Sequence, residues 1–242
     1  RFQSRKDLEA VRLKLQYQGT LELMGIVDRI DYYEEDDNLY LKIIDYKSGA
    51  QTFSLEDIYH GLSLQLVVYY NAAVEKAKKD QEKQVVPGGI FYFHIQDPLV
   101  EEKPGASLEE EMLDEFSMSG LALSERSVVE HMDRDGQRSL PVSFVKSGKF
   151  SAYSSVASRE QFEALGNYVK KQLVQYGNEI LDGNIAIEPY KSEKRTACDY
   201  CAYRGVCGFD PAFSGNRYRK LHKIKKDKIW DKIEDIHWEE GR

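Results

Sequence analysis

A carboxylate and an ammonium group stand two positions apart in the run I-D-Y-K-S-G, residues 44–49. Residues two apart on a β-strand share a face, so Asp45 and Lys47 project together. This pair suits phosphodiester hydrolysis. Carboxylate oxygens bind Mg²⁺ or Mn²⁺, which activate water and polarise a phosphate, while a lysine can orient the water and hold charge on the scissile group. The alternative is an exposed ion network, because short D-x-K strings arise by chance.

A second acid, Asp28, lies in the run G-I-V-D-R-I-D, residues 25–31. The midpoint between Asp28 and Asp45 falls inside the polar stretch 34–38, which has the composition of a turn. A symmetric hairpin would then place the two carboxylates opposite each other, an arrangement that destabilises a sheet unless a cation is bound. We therefore predict Asp28, Asp45 and the backbone carbonyl of Tyr46 as metal ligands.

Three cysteines give a second chemical signal, with the spacing C-x2-C-x5-C. Three thiolates this close suit a soft metal or an iron-sulfur cluster, which normally takes a fourth ligand. The chain has no fourth cysteine. A zinc site completed by His222 and a set of buried, inert thiols are the alternatives. The ligands concerned are Cys198, Cys201 and Cys207.

The elements around the acids predict an α/β fold. Apolar and β-branched residues favour strands over 21–33 and 39–47, which form a hairpin. Ser54 with Asp57 resembles a helix N-cap, and apolar residues recur at helical spacing over 55–77. A strand over 90–95 follows, so strand, helix and strand form a crossover within a mixed sheet flanked by helices.

The second half is less sharply patterned. Residues 97–111 are rich in Pro, Gly and Glu and predict a loop, and short strands and loops are expected up to Val156. A second long helix begins at Ser158 and ends at Gly183. A short strand over 185–188 leads into the cysteines.

The hairpin motifs, followed by a Q-x-x-x-Y pair, resemble the RecB-family branch of the PD-(D/E)XK nucleases. The pair lies one helical turn apart and so on one face, although alone it would be better explained by an amphipathic helix with a half-buried tyrosine. The resemblance implies a restriction-endonuclease-like fold and a Mg²⁺-dependent deoxyribonuclease acting as an exonuclease. The implied catalytic residues are Asp28, Asp45, Lys47, Gln65 and Tyr69.

The cysteine block and the strand P-G-G-I-F-Y-F, residues 87–93, resemble the C-terminal nuclease domain of AddB-type subunits of bacterial ATP-dependent helicase-nucleases. This resemblance implies a [4Fe-4S] cluster on the three cysteines, with a fourth cysteine far upstream in the same subunit. It also implies an AddA-type helicase-nuclease partner, and single-stranded DNA from unwound duplex as the substrate in double-strand-break repair by homologous recombination. No G-x-x-x-x-G-K-[ST] string occurs, so ATP would be used elsewhere in the complex.

The sequence departs from the family pattern at one point. The first motif of the family contains a histidine, and no histidine before Gly25 matches it. His60, His94 and His131 follow the hairpin and are interpreted as ordinary core or surface residues. Three other functions stay open: a nuclease-fold module that binds DNA or a subunit without cutting, a CRISPR-associated exonuclease of the same branch, and a redox-sensing cluster protein.

Composition sets further limits. The 242 residues carry a net charge of −7, which opposes DNA binding unless divalent cations reverse the local sign.

We predict a nuclease domain over 1–213 and a basic tail over 214–242, either solvated or in contact with DNA or a subunit. Because the chain starts without Met in mid-flow, we expect a fragment. With no signal sequence and no long apolar run, we expect a bacterial cytoplasmic protein without membrane contact. The basic residues of the tail are Arg217, Arg219, Lys220, Lys223, Lys225, Lys226 and Lys228.

Overall fold

The computed structural model describes residues 11–80, 83–95, 107–133, 139–193 and 195–235. A two-stranded antiparallel sheet of β1 (Val11–Lys14) and β2 (Thr20–Leu23) comes first. A five-stranded mixed sheet follows, in the spatial order β3-β4-β5-β6-β7. Its strands are β3 (Arg29–Glu35), β4 (Asn38–Lys47), β5 (Gln84–His94), β6 (Ser119–Leu123) and β7 (Val156–Ala157). The predicted α/β class with a mixed sheet is confirmed.

The hairpin of β3 and β4 has the predicted symmetry. Its antiparallel register runs from Arg29 opposite Ile44 to Glu35 opposite Asn38, and Asp36 takes a left-handed conformation in the turn, with φ 50°. The predicted first strand over 21–33 is wrong in its length. Residues 21–23 belong to β2 in the other sheet, and β3 begins only at Arg29.

The β4 strand lies in the interior of the sheet, where β5 runs parallel to it on the side away from β3. Its residues 39–45 are all buried, as expected for a strand covered on both faces. The connection from β4 to β5 passes through helices, so the predicted strand-helix-strand unit is confirmed. The last residues of β4, from Asp45 to Lys47, are paired with β5, whereas the pairing with β3 ends at Ile44.

The predicted long helix over 55–77 is wrong, because two helices occupy this stretch: α1 (Leu55–Tyr59) and α2 (Gln65–Asp80). Ser54 does cap α1, since its Oγ accepts the Asp57 amide at 3.0 Å. The break follows from backbone conformation, with φ 81° at Gly61 and 52° at Ser63. A side chain at Gly61 would also collide with Tyr176, so glycine is required there.

Four of the remaining helices surround the sheet: α3 (Leu108–Glu115), α4 (Arg126–Met132), α5 (Arg159–Leu181) and α7 (Lys226–Glu234). The helix predicted from Ser158 is confirmed, with a capping box between Ser158 and Gln161 and φ 71° at Gly183. The expectation of short strands and loops up to residue 156 missed α3 and α4. Part of the predicted loop, residues 97–106, lies outside the described residues.

The cysteine region begins after α5. The strand predicted over 185–188 is wrong, and β8 (Tyr190–Lys191) instead pairs in parallel with β9 (Arg219–Lys220). Between them lies α6 (Arg204–Cys207). Leu181 to Lys228 contains no buried residue in the part of the chain that is described. This region therefore has no hydrophobic core of its own.

The main core lies between one face of the five-stranded sheet and helices α2, α5 and α7. Ile229, Trp230 and Ile233 of α7 are buried in it, so residues 226–234 are not a solvated tail. The opposite face of the sheet packs against α4 through Ile44, Phe91 and Val129. The boundary at residue 213 stays a prediction. Within the described ranges, no helix is long and apolar enough to cross a membrane.

Candidate active site

The Asp45 side chain lies near the end of β4 and is almost fully buried, at 2% exposure. Its Oδ2 atom is 2.5 Å from Lys47 Nζ, so the two predicted residues do form an ion pair. Within the described part of the chain, no donor makes a well-directed hydrogen bond to that oxygen. Because buried carboxylate oxygens normally have such partners, Asp45 keeps capacity for a further ligand.

Asp28 lies in a bend one residue before β3, whose printed register with β4 begins at Arg29 opposite Ile44. Extending that register by one residue would place Asp28 opposite Asp45, which stays a prediction. Asp28 Oδ2 accepts a hydrogen bond from the Tyr46 amide at 2.8 Å. In an extended strand the N–H and C=O of one residue point the same way, so the Tyr46 carbonyl also faces the Asp28 segment.

Gln65 and Tyr69 reach the site from α2. The Gln65 carbonyl oxygen accepts from Lys47 Nζ at 2.8 Å, and its amide donates to the Tyr69 hydroxyl at 2.9 Å. The ring of Tyr69 packs on Gly25, where an added Cβ would lie 3.1 Å from the ring. This close approach explains the glycine before Asp28. Four of the predicted catalytic residues, Asp45, Lys47, Gln65 and Tyr69, therefore form one chain of side-chain contacts, and Asp28 adjoins it through the Tyr46 amide.

Tyr92 is a further member of the cluster that the sequence analysis missed. It stands opposite Asp45 in the parallel register of β4 and β5, and Lys47 Nζ is 5.5 Å from the centre of its ring. Burial, together with the charge of Asp45, raises the pKa of the Tyr92 phenol to about 12. The Tyr92 side chain, which lies beside Asp45 and Lys47, is therefore uncharged at neutral pH. The signal that could have identified Tyr92 was the parallel pairing of β5 with β4, because that register places residue 92 opposite residue 45.

The other face of the hairpin holds a second charged cluster that was not predicted. Asp31, 1% exposed, lies 3.1 Å from Lys42 Nζ and accepts from Arg29 Nε at 2.7 Å. The hydrogen bond to Asp31, followed by one to Tyr46, raises the pKa of Arg29. This cluster ties β3 to β4 directly behind Asp28 and Asp45. The sequence signal for this cluster was Asp31, the second acid of D-R-I-D, because alternation along a strand puts Asp31 and Asp28 on opposite faces.

The donor set fits a hard divalent cation. The Asp28 carboxylate and the Tyr46 backbone meet beside Asp45 at the end of β4, and among the described residues no directed donor reaches the buried Asp45 Oδ2. Oxygen ligands of this kind suit Mg²⁺ or Mn²⁺. A third acidic or histidine ligand was not found, since no group of three or more His, Cys, Asp or Glu within the described ranges could hold a metal ion.

The three cysteines are free thiols, with Cys198 half-buried and the other two exposed. The first loop is held by Thr196, whose hydroxyl donates to Asp199 at 2.7 Å. Cys207 ends α6, and Gly208 after it has φ 65°. The thiols have the chemistry of cluster ligands, but the described residues do not bring three such donors together, with or without His222.

Comparison with known proteins gives a consistent result. A profile described as "PD-(D/E)XK nuclease superfamily" matches residues 1–208. The chain is 38% identical over 232 residues to the B-type subunit of the ATP-dependent helicase/deoxyribonuclease of Alkaliphilus oremlandii, which is 94% of this chain and 20% of that protein. The B-type subunits of the same enzyme from Clostridium acetobutylicum and Geobacillus kaustophilus are 40% and 39% identical, over 90% and 94% of this chain and 19% and 20% of theirs. The chain spans about a fifth of the length of these curated relatives.

Proposed function

The chain belongs to the PD-(D/E)XK nuclease superfamily, and we propose that it hydrolyses phosphodiester bonds of single-stranded DNA with Mg²⁺. One observation carries this proposal. Asp45 and Lys47 form an ion pair on one face at the end of β4, and the Asp28 carboxylate accepts the amide of Tyr46, the residue between them. Extending the hairpin register by one residue would bring Asp28 opposite Asp45. Like charges placed opposite each other are unfavourable in a sheet, which supports a cation-binding role for this pair.

The chain's own residues have distinct parts in the proposed reaction. Asp28, Asp45 and the Tyr46 carbonyl would hold the cation, which when bound lowers the pKa of water and polarises the phosphate. Lys47 orients the attacking water and stabilises charge on the phosphate oxygens. Gln65 fixes Lys47 through its 2.8 Å hydrogen bond, and Tyr69 fixes Gln65. Tyr92 excludes water beneath the ammonium group.

Calorimetric titration with Mn²⁺ tests the cation site without requiring cleavage. We expect saturable binding to the wild-type chain, and at least about tenfold weaker binding to Asp28→Asn, because the variant loses a charged ligand. Asp37→Asn is the matched control, since Asp37 is an exposed acid in the turn of the same hairpin. Equal Mn²⁺ affinity in wild type and Asp28→Asn would contradict the proposal and favour an inactive DNA- or subunit-binding module.

The relatives' printed name supports a larger setting. We propose that the chain acts as the nuclease part of an AddB-type subunit of an ATP-dependent helicase/deoxyribonuclease, beside an AddA-type subunit that provides the helicase motor. In that setting the substrate is the strand released by unwinding, cut by exonuclease action during double-strand-break repair. The basic residues near the end of the chain support contact with the strand or with a subunit, because they carry positive charge in a chain of net charge −7.

We further propose that the cysteines hold a [4Fe-4S] cluster with a fourth ligand outside the described residues. The absence of a buried residue across the described part of 182–228 supports this proposal. A small region without a core usually needs a metal or a covalent link to keep its structure. Zinc is the alternative with the same three thiolates.

The cluster proposal predicts a visible absorption band and bound iron and sulfide in protein purified without oxygen. We expect Cys201→Ser to lose the band and most of the iron, because a ligand is removed. It should also unfold at a lower temperature, because metal binding contributes folding free energy. Ser214→Ala, in the same region, is the control that should retain both. Colourless wild-type protein with one equivalent of zinc would replace the cluster by a zinc site.

A further inference from the structure

The cysteine region (residues 190–221) and the residues that follow it make polar contacts with α1 and its C-cap. We call this set of contacts the clasp. Arg195 Nη2 is 2.6 Å from Asp57 Oδ2, and the Ile224 amide donates to Glu56 Oε1 at 3.1 Å. The other contacts made onto α1 and its C-cap are Arg219 Nη1 to the His60 carbonyl at 3.4 Å, His60 Nε2 to the His222 carbonyl at 3.1 Å, and Lys232 Nζ to the Tyr59 hydroxyl at 3.3 Å.

The α1 helix lies shortly before Gln65, the residue whose side chain accepts a hydrogen bond from Lys47. Four residues, 61–64, separate the C-cap His60 from Gln65, the first residue of α2. Two of them, Gly61 and Ser63, have positive φ, so the connection is a tight turn. The position of α1 therefore sets where α2 begins and where the Gln65 side chain lies.

The α1 helix also lies close to Tyr92. Burial raises the pKa of Tyr92 most, followed by the charge of Asp45, and the charge of Asp57 adds to this, whereas the hydrogen bond from Gln51 acts in the opposite direction. Gln51 in turn lies 3.5 Å from Ser63 Oγ and 3.4 Å from the Tyr92 hydroxyl. The turn between α1 and α2 is thus linked to Tyr92 through Gln51.

We infer that the Arg195–Asp57 ion pair positions Lys47 from a distance, by holding α1 so that Gln65 meets the ammonium group. Arg195 and Asp57 are positioning residues in this scheme, and neither takes part in bond breaking. The inference rests on the proposed function. It makes cleavage sensitive to the state of the cysteine region, which has no core and reaches the site through this helix.

Arg195→Ala tests the inference through the split between kcat and KM. We expect kcat for cleavage of a single-stranded oligonucleotide to fall about fivefold with little change in KM, since one partly exposed ion pair can shift an equilibrium by about this factor. Arg195→Lys should recover much of kcat, because it restores the positive charge. Hydrogen exchange should accelerate at the amides of residues 60–66 in Arg195→Ala.

The matched control is Arg159→Ala. Arg159 pairs with Glu125 at the same 2.6 Å and joins the starts of α4 and α5, and the partners described for it, Glu125 and Tyr40, lie outside the catalytic cluster. We expect this variant to lose thermal stability while keeping kcat and the exchange of residues 60–66. An equal loss of kcat in both variants would overturn the inference, because the effect would then follow stability alone.

Two further results separate the inference from the proposed function. A higher KM with unchanged kcat in Arg195→Ala would make Arg195 a DNA contact and overturn the positioning role, as would unchanged exchange at residues 60–66. If the wild-type protein cleaves no DNA while Arg195→Ala still accelerates that exchange, the proposed function fails and the clasp stands.

Discussion

Asp45→Ala is expected to lower the rate of Mg²⁺-dependent DNA cleavage by about a thousandfold or more. The reason is that the variant removes the most buried of the proposed ligands, and metal activation is worth several kcal/mol, with each ~1.4 kcal/mol giving tenfold in rate. Lys47 also loses its ion-pair partner at 2.5 Å. The measurement is initial rate on a labelled single-stranded oligonucleotide over a range of Mg²⁺ concentrations.

Two controls make this result specific. Asp37→Ala removes an exposed acid from the turn of the same hairpin and should cleave at the wild-type rate. Circular dichroism and oligonucleotide binding in EDTA should show that Asp45→Ala is folded and still binds DNA. Wild-type cleavage by Asp45→Ala would exclude the carboxylate at the end of β4 as a metal ligand and would remove the proposed reaction.

The geometry of the hairpin could be predicted because its information is local. Side chains alternate along a strand, and the turn lies midway between the two acids, so sequence spacing alone gave both the shared face and the register. The helix after Ser158 was equally accessible, since its capping box and its terminal glycine are local signals.

The rest depended on contacts between distant parts of the chain. The break between α1 and α2 was missed because the apolar spacing continues through it, and the collision at Gly61 involves Tyr176, more than a hundred residues later. The clasp was missed for the same reason, because it joins residues 56–60 to residues after 194. Tyr92 enters the site only through the parallel pairing of β5 with β4.

Charge distribution explains how an acidic chain can serve a polyanionic substrate. The acids that the proposal needs lie at the end of β4, and a cation bound there would reverse their sign locally. The stretch from Arg217 to Lys228 is rich in basic residues, and Arg219 and the nearby Arg195 contact α1 and its C-cap. The net charge of −7 therefore does not describe the surface that the DNA strand would meet.

Asp31→Ala is expected to lower the free energy of unfolding by about 3–5 kcal/mol, the range for breaking a buried ion pair on one side. Asp31 and Lys42 are 1% and 7% exposed, so the variant removes a carboxylate from a buried ion pair. Arg29 also loses its 2.7 Å hydrogen bond, although it is exposed enough to be hydrated. Urea unfolding followed by tryptophan fluorescence measures the change.

A double variant separates the burial of charge from the loss of a contact. Asp31→Leu combined with Lys42→Met removes both charges and keeps apolar volume, and it should recover most of the lost stability, because well-packed apolar residues often replace a buried pair without cost. The exposed pair of Arg12 and Glu22 provides the comparison, since Glu22→Ala should cost at most about 1 kcal/mol. If Asp31→Ala is no less stable than Glu22→Ala, the cluster does not hold β3 to β4. Packing of Ile30 against Ile43 must then fix the register of β3 against β4.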